Sequence, residues 1–140
     1  MLDGRGNGLL HSRQQPRSRF SAAGLRETLD VLEQAGIRSA GAGRDATEAR
    51  APAIIEAADA RRVLILAFGC GSSGIPPEWT AGRDRPGVNF LPDLSDRTLG
   101  SIAQFTQALR RREDLLVASI HWGKNWGYQI SREEVRFAHG

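Results

Sequence analysis

Apolar residues recur at three- and four-residue intervals in three stretches of the chain, and each stretch begins at a serine that can cap a helix. The first runs from Ser21 to Gly36, where glycine suits the left-handed residue that ends many helices. The second begins at Ser95. The third begins at Ser131, and Glu134 three positions later completes a capping box. The pattern therefore predicts three amphipathic helices.

Two continuous aliphatic runs, Arg61–Phe68 and Leu115–Ile120, predict β-strands that are buried on both faces. Ala53–Ala58 is ambiguous, because its isoleucines favour a strand and its alanines favour a helix. A short helix is expected at Asp45–Arg50, since Pro52 forbids its continuation.

Three segments carry no hydrophobic period. Residues 1–20 are rich in Arg, Gln, Gly and Ser and are predicted to be disordered. Gly41–Gly43 is expected to form a flexible turn, and Gly69–Pro92 a long loop, because it holds much of the glycine and proline of the chain. The ordered part is expected to be one domain over residues 21–140.

Strand, loop, helix and strand in succession predict an α/β fold with a parallel sheet. Ligands of such sheets gather outside the carboxyl ends of the strands. Two loops follow the predicted strands at that edge, Gly69–Pro77 and His121–Tyr128. We therefore expect any site to form between these two loops.

Composition narrows the function classes. A chain of 140 residues with 40% hydrophobic residues can build one modest core. The pI is near 10.0 although the net charge is only +3. The pI is high because nearly all the basic residues are arginines, and Lys124 is the single lysine. The arginine runs lack interleaved aromatics, which argues against nucleic-acid binding. Cys70 is alone, and neither a membrane span nor a secretory segment is evident, so a cytoplasmic location is expected.

The glycine-rich run Gly69–Gly74 has the glycine spacing of a phosphate-binding P-loop, but Ile75 and Pro76 stand where that motif needs Lys and Ser or Thr. The run also lacks the Gly-x-Ser-x-Gly of a hydrolase nucleophile. A turn that lets the backbone approach a neighbour is the better interpretation. Gly41-x-Gly43 before a helix could cradle an anion, but a tight loop is the better interpretation, because a lone Gly-x-Gly is weak evidence.

His121 is the sharpest candidate for chemistry. It ends a predicted strand at the edge where α/β sites form, and a neutral imidazole there is a good ligand for a first-row metal ion. The alternative is a histidine that satisfies its hydrogen bonds at a strand end. His11 and His139 lie near the two ends of the chain and offer no second ligand of similar quality.

Several short motifs follow one another in a fixed order over roughly residues 21–139. They are Ala23-Gly24-Leu25-x-Glu27-Thr28-Leu29, Gly41-Ala42-Gly43-Arg44 with Glu48-Ala49, Gly74-Ile75-Pro76, Trp79, Arg85-Pro86-Gly87-Val88-Asn89, and Ser119-Ile120-His121-Trp122-Gly123-x-Asn125-Trp126-Gly127. In this order they resemble the CapA-type proteins of bacterial capsule and poly-γ-glutamate synthesis, which is more specific than any one motif alone.

That family is similar to the calcineurin-type metallophosphoesterases, in which two sheets form a sandwich flanked by helices. Two divalent ions, of Mn, Fe, Zn or Mg, activate a water there and clamp phosphoryl oxygens. The resemblance implies a metal ligand at His121, and it places the opening Asp motifs before Met1 and the closing Gly-His motif beyond Gly140. We therefore expect this chain alone to be inactive and to bind metal weakly, with an unpaired sheet edge beside Leu115–Ile120.

The family's Asn-Asn-His motif would fall shortly before Leu25, where the sequence reads Arg13-Gln14-Gln15-Pro16. Codons for these four residues, read one base later, can give Ala-Asn-Asn-His. We hypothesise that residues up to about Phe20 are translated out of frame. The nucleotide sequence of the gene tests this hypothesis.

The resemblance also implies a substrate and the residues that contact it. The substrate would be an anionic polymer or a phosphoester, and the contacts would come from Trp122, Asn125 and Trp126. The alternative for these three residues is that they fill and fix the turn. The alternative function is a non-catalytic module in which this loop recognises a polymer or a partner, and a third is a fragment without a role.

Overall fold

The computed structural model of the protein describes residues 21–57, 61–124 and 126–140. Within those ranges it forms four α-helices and six β-strands. They are α1 Ala22–Gln34, β1 Ala42–Gly43, α2 Ala46–Arg50, β2 Ala53–Glu56, β3 Arg62–Cys70, β4 Gly87–Val88, β5 Phe90–Leu91, α3 Asp96–Leu109, β6 Leu115–His121 and α4 Arg132–His139. The α/β class predicted from the sequence is confirmed.

The larger sheet is organised around β3. One edge of β3 pairs in parallel with β6 from Val63 to Gly69. The other edge pairs with β2 in antiparallel and, at Gly69 and Cys70, with β5 in parallel. β1 and β4 form a separate two-stranded antiparallel sheet. The predicted parallel relation between the two long strands is confirmed, and the ambiguous segment after Pro52 is strand β2.

The helix boundaries follow from local caps. The hydroxyl of Ser21 accepts from the Gly24 amide at 3.0 Å, and Gly36 ends the helix region with φ +68°. Asp45 caps α2, Ser95 caps α3, and Ser131 with Glu134 forms the complete capping box of α4. All four predicted helix starts are confirmed.

The core lies between one face of β3 and the helices α3 and α4. Leu64 and Leu66 are each only 1% exposed, and Leu66 packs in one cluster with Phe68, Cys70 and Phe137. On the opposite face, Val63, Ile65 and Ala67 are half-buried. The prediction that β3 is buried on both faces is therefore right for one face and only partly right for the other.

The prediction that Leu115–Ile120 is a strand buried on both faces is wrong. The strand exists as β6, but Leu115 is 60% exposed and Val117 is 40% exposed, and Leu116 and Ile120 are only half-buried. Among the described residues β6 pairs with β3 alone, so it is an edge strand. No described strand lies on the other side of β6.

Two predictions about loops are also wrong. The Gly69–Pro92 segment contains the end of β3, the short strands β4 and β5, and two single-turn 3₁₀ helices, Gly71–Ser73 and Pro77–Trp79. Gly41–Gly43 includes β1, which pairs with β4, and is not a free turn. A strand of two residues is too short to show a period, which is why the sequence pattern missed these elements.

An ion pair fixes the start of β6 to the start of β3. The carboxylate of Asp114, which is 6% exposed, accepts from the Arg62 Nε at 3.0 Å and from the Arg111 backbone amide at 2.8 Å. These bonds, that from Arg62 above all, lower the pKa of Asp114 to about 2. Neither residue had been singled out in the sequence, because a single Arg or Asp at a strand end carries no pattern.

Candidate functional site

Three parallel strands end at the same edge of the larger sheet. Gly69 is in register with His121 across β3 and β6, and Cys70 is in register with Leu91 across β3 and β5. The residues that follow these strands therefore meet at one place. In parallel sheets this carboxyl edge is where ligands bind.

The loop after β3 is held by its own short contacts. Ser73 is buried and its hydroxyl donates to the Cys70 carbonyl at 2.7 Å, and Gly74 takes the left-handed conformation with φ +86°. A Cβ on Gly69 would lie 2.4 Å from the Ile75 side chain. The glycines thus serve close packing and a turn, which supports the rejection of a phosphate-binding loop.

The turn after β6 is fixed at two points. The half-buried Trp122 packs edge-to-face on Phe137 of α4, with ring centroids 6.0 Å apart. Gly123 has φ +87°, and its amide donates to the Ser72 hydroxyl at 3.0 Å. The two loops expected to lie together are therefore joined by a hydrogen bond, and His121 stands exposed at their junction. Ser72 had not been singled out, because one loop serine carries no signal of a partner 51 residues away.

The chain beyond this turn is open to solvent. Trp126 is 91% exposed, and Tyr128 and Ile130 are also exposed large side chains. The side chain of Trp122 is thus packed against α4, whereas the side chain of Trp126 is exposed. Asn125 lies outside the described residues.

A cleft of about 590 Å³ lies between this open segment and the loops after β3 and β5. Its walls carry the carboxylates of Asp93, Glu133 and Glu134 and one ammonium group, that of Lys124. The walls of the cleft therefore carry more negative than positive charge. Trp126 lines the same cleft and supplies its exposed aromatic surface.

Two of these carboxylates have partners in helix caps. Asp93 accepts from the hydroxyls of Ser95 and Thr98, each at 2.5 Å, and these bonds, that from Ser95 first, lower its pKa to about 2. Glu134 is 9% exposed and accepts from the Ser131 amide at 2.8 Å. Asp93 thus remains charged over the whole physiological range, and Glu134 serves the start of α4.

The described residues do not fit a two-metal centre. No group of three or more His, Cys, Asp or Glu side chains that could hold a metal ion occurs among them. His121 is a candidate for one ligand, whereas a protein site for a divalent ion uses at least three. His11 lies outside the described residues, and His139, at the end of α4, borders a different hollow beside Trp122.

The motif of residues 41–49 links two helices through the ion pairs of Arg44. The Arg44 guanidinium bonds to the carboxylates of Asp30 at 2.6 Å, Glu33 at 2.7 Å and Glu48 at 2.5 Å. The bonds to Asp30 and Glu33 raise the pKa of Arg44 above its ordinary value. Glu48 also accepts from the Arg44 amide at 2.6 Å. Arg44 therefore ties α1 to α2.

Asn89 joins the two sheets. Its backbone amide donates to the Gly41 carbonyl at 2.8 Å, and its backbone carbonyl accepts from the Gly69 amide at 3.0 Å. Its side-chain Nδ2 donates to the Ala67 carbonyl at 3.0 Å. Gly41 has φ +84°, and a Cβ there would lie 2.7 Å from the Ala67 Cβ. Gly41 and Asn89 of the ordered motifs thus have a structural role in holding the two sheets together.

None of the described helices is long and apolar enough to cross a membrane.

The family model described as "Bacterial capsule synthesis protein PGA_cap" matches residues 20–140. Two similar proteins are the "Probable polyglutamine synthesis accessory proteins" of Mycobacterium tuberculosis strains CDC 1551 / Oshkosh and ATCC 25618 / H37Rv. Each is 40% identical over 121 residues, which is 86% of this chain and 32% of the relative. The chain thus spans about a third of the length of these relatives. The ordered motifs and the match over all the described residues show that the chain belongs to the bacterial capsule synthesis family PGA_cap.

Proposed function

We propose that this chain acts in the synthesis of a bacterial capsule polymer of the polyglutamate or polyglutamine type. The observation that carries the proposal is the family match over residues 20–140, which includes the His121 turn at the carboxyl edge of the sheet. The names of the two relatives support the same class of polymer. The expected cytoplasmic location remains part of the proposal.

Within this function, His121 contributes one ligand to a metal site that the described residues do not complete. Its exposed position beside the Ser72–Gly123 hydrogen bond supports this role, because the turn that carries it is held in place. The remaining ligands would come from parts of a family member outside the matched third. The chain alone therefore has little or no phosphoesterase activity.

The charges on the walls of the cleft affect whether an anionic substrate can bind there. The cleft is lined by three carboxylates and one ammonium group, so its walls repel an anionic polymer or a phosphoester. A divalent cation, whether of Mn, Fe, Zn or Mg, would reverse this balance. Because the described residues do not complete a cation site, we propose that the chain alone does not bind an anionic substrate in this cleft.

A second candidate function is a non-catalytic binding module. The observation that favours it is the exposure of Trp126, Tyr128 and Ile130 beside the cleft, because exposed aromatic residues are common at binding sites. In this case the loop would hold a polymer or a partner without chemistry. His121 would then be dispensable, and Trp126 would not.

Polymer production in a bacterium that carries the gene separates these functions. Deletion of the gene should lower the glutamate recovered from cell-surface polymer after acid hydrolysis, and the wild-type gene should restore it. Under the first proposal His121→Ala fails to restore the polymer, whereas Val31→Lys, on the exposed side of α1, succeeds.

Restoration by His121→Ala together with failure of Trp126→Ala would support the binding module instead. If deletion leaves the polymer unchanged, the proposed role in capsule synthesis is wrong.

A further inference from the structure

Arg50 holds a guanidinium group that has no hydrogen-bond acceptor among the residues that the structure describes. Its Cζ lies over the Phe105 ring, 4.6 Å from the ring centroid. A cation–π contact attracts the charge but supplies no acceptor for the N–H groups. Arg44 and Arg62 differ, because both are paired with carboxylates. Arg50 is therefore held beside a ring while its N–H donors stay available to another molecule.

Arg50 and Phe105 lie in the walls of two hollows. A hollow of about 340 Å³ lies between α2 and α3, and one of about 290 Å³ lies between β5 and α3. These volumes are close to the lower limit of ordinary small-molecule sites, roughly 300 Å³. Arg50 is the one ionisable side chain among the described residues that line either hollow. Both hollows are therefore positive, in contrast to the acidic cleft beside Trp126.

The hollow between α2 and α3 is the better site for an apolar group. Apart from Arg50 and Thr47, its walls consist of alanine, proline, leucine and phenylalanine side chains. Leu109 in this wall is 37% exposed, so a ligand would cover apolar surface that otherwise meets water. The other hollow has three further polar side chains in its walls, and an apolar chain would remove them from water at a cost.

The charge and the shape of the Arg50 guanidinium select the head group of a ligand. One positive charge beside apolar walls balances one negative charge. A carboxylate is planar and accepts two parallel N–H bonds from a guanidinium. A phosphate dianion would keep one negative charge uncompensated against the apolar walls. An ammonium group would be repelled by Arg50. The hollow therefore fits a carboxylate better than either of these.

We propose that Arg50 binds the carboxylate of a small organic acid, and that the short apolar chain of this acid packs against Phe105 and Leu109 between α2 and α3. The walls of this hollow share no residue with those of the acidic cleft beside Trp126. The site is therefore separate from the candidate site at the carboxyl edge of the sheet, and it does not depend on the role proposed for His121.

Titration of the isotope-labelled chain with sodium hexanoate, followed through the NMR shifts of its backbone amides, tests the proposal. Saturable shifts are expected at α2 and at the carboxyl-terminal half of α3, with a Kd of about 1–10 mM for a ligand of this size. Butanoate, which is two methylene groups shorter, should bind roughly threefold to fifteenfold more weakly. Hexylammonium, which carries the same apolar chain and the opposite charge, should cause no saturable shift.

Substitutions at exposed positions separate the guanidinium from the fold. Arg50→Gln should weaken hexanoate binding at least about tenfold. Arg26→Gln, which removes an exposed charge from α1, is the matched control and should change the Kd less than about twofold. Thr47→Glu places a carboxylate in the wall of the hollow, three residues before Arg50, where it can pair with the guanidinium. This variant should stay folded and lose hexanoate binding.

Three results would overturn the proposal. They are the absence of any saturable shift with hexanoate, equal binding of hexylammonium, and hexanoate binding that survives unchanged in Arg50→Gln. In the last two cases the hollow would be recognising an apolar chain without its carboxylate.

Discussion

Gly43 tests whether the motif residues of this family serve packing in this chain. A Cβ at position 43 would lie 2.2 Å from the backbone nitrogen of Ala49 and 2.6 Å from the carbonyl carbon of Glu48, whereas real Cβ atoms essentially never come closer than 3.0 Å. The obstacle is the backbone of α2, so Gly43→Ala must push that helix away from β1. Ala49, which is 1% exposed, then loses its packing.

The expected magnitude follows from these contacts. Inserting one methyl group against a packed backbone costs roughly 1–3 kcal/mol of unfolding free energy. Gly100→Ala is the matched control, because it adds the same methyl group in the interior of α3 with nothing within 4 Å. Replacing a helical glycine by alanine stabilises by about 0.5–1 kcal/mol. The same substitution thus has opposite signs at the two positions.

Thermal unfolding and urea unfolding, both followed by circular dichroism, measure the two changes. For a domain of this size about 1 kcal/mol corresponds to about 3–4 °C in Tm, so Gly43→Ala should lower the Tm and Gly100→Ala should raise it slightly. A Gly43→Ala protein as stable as the wild type, while Gly100→Ala behaves as expected, would refute the packing role of the motif.

Three further predictions concern stability. The lowered pKa values of Asp114 and Asp93, both about 2, mean that their contributions are full above about pH 4, the unfolded value, and are lost as the pH falls towards 2. The urea midpoint should therefore fall over this range, and Asp114→Asn should reduce its pH dependence. Leu66→Ala, at a position 1% exposed in the core, should cost about 2–5 kcal/mol, measured by urea unfolding; a loss under about 1 kcal/mol would contradict the assigned core. Ser131→Ala removes the cap of α4 and should cost about 0.5–2 kcal/mol, with faster exchange of the first-turn amides of that helix; unchanged exchange would show that the cap is dispensable.

The sequence predicted the elements whose signals are local. Helix starts at Ser21, Ser95 and Ser131 were predictable because an N-cap hydroxyl and its amide partner lie three residues apart. The aliphatic run that forms β3 was predictable because it is long and continuous.

The burial of β6 was mispredicted for a physical reason. An aliphatic run shows that a strand can be buried, but only the neighbouring chain decides whether it is. Leu115 and Val117 have the composition of a core strand and the exposure of an edge strand. Long-range contacts such as Ser72–Gly123 and Arg62–Asp114 were likewise invisible, since they join residues more than 50 positions apart.

The sequence predicted where the candidate site lies, but not which residues surround it. The position of His121 at the carboxyl edge followed from the order of strands, and the structure brings it beside the Gly69–Gly74 loop as expected. The acidic walls of the cleft were not foreseen, because Asp93 and Glu133 come from segments far apart in the chain.

Calorimetric titration of this chain with Mn²⁺, and then with Zn²⁺, tests most directly the claim that it supplies a scaffold and one metal ligand. The account predicts no stoichiometric binding site in the wild-type chain, because the described residues bring no three ligands together. A stoichiometric site whose binding disappears in His121→Ala would contradict it, since the chain would then complete a metal site on its own.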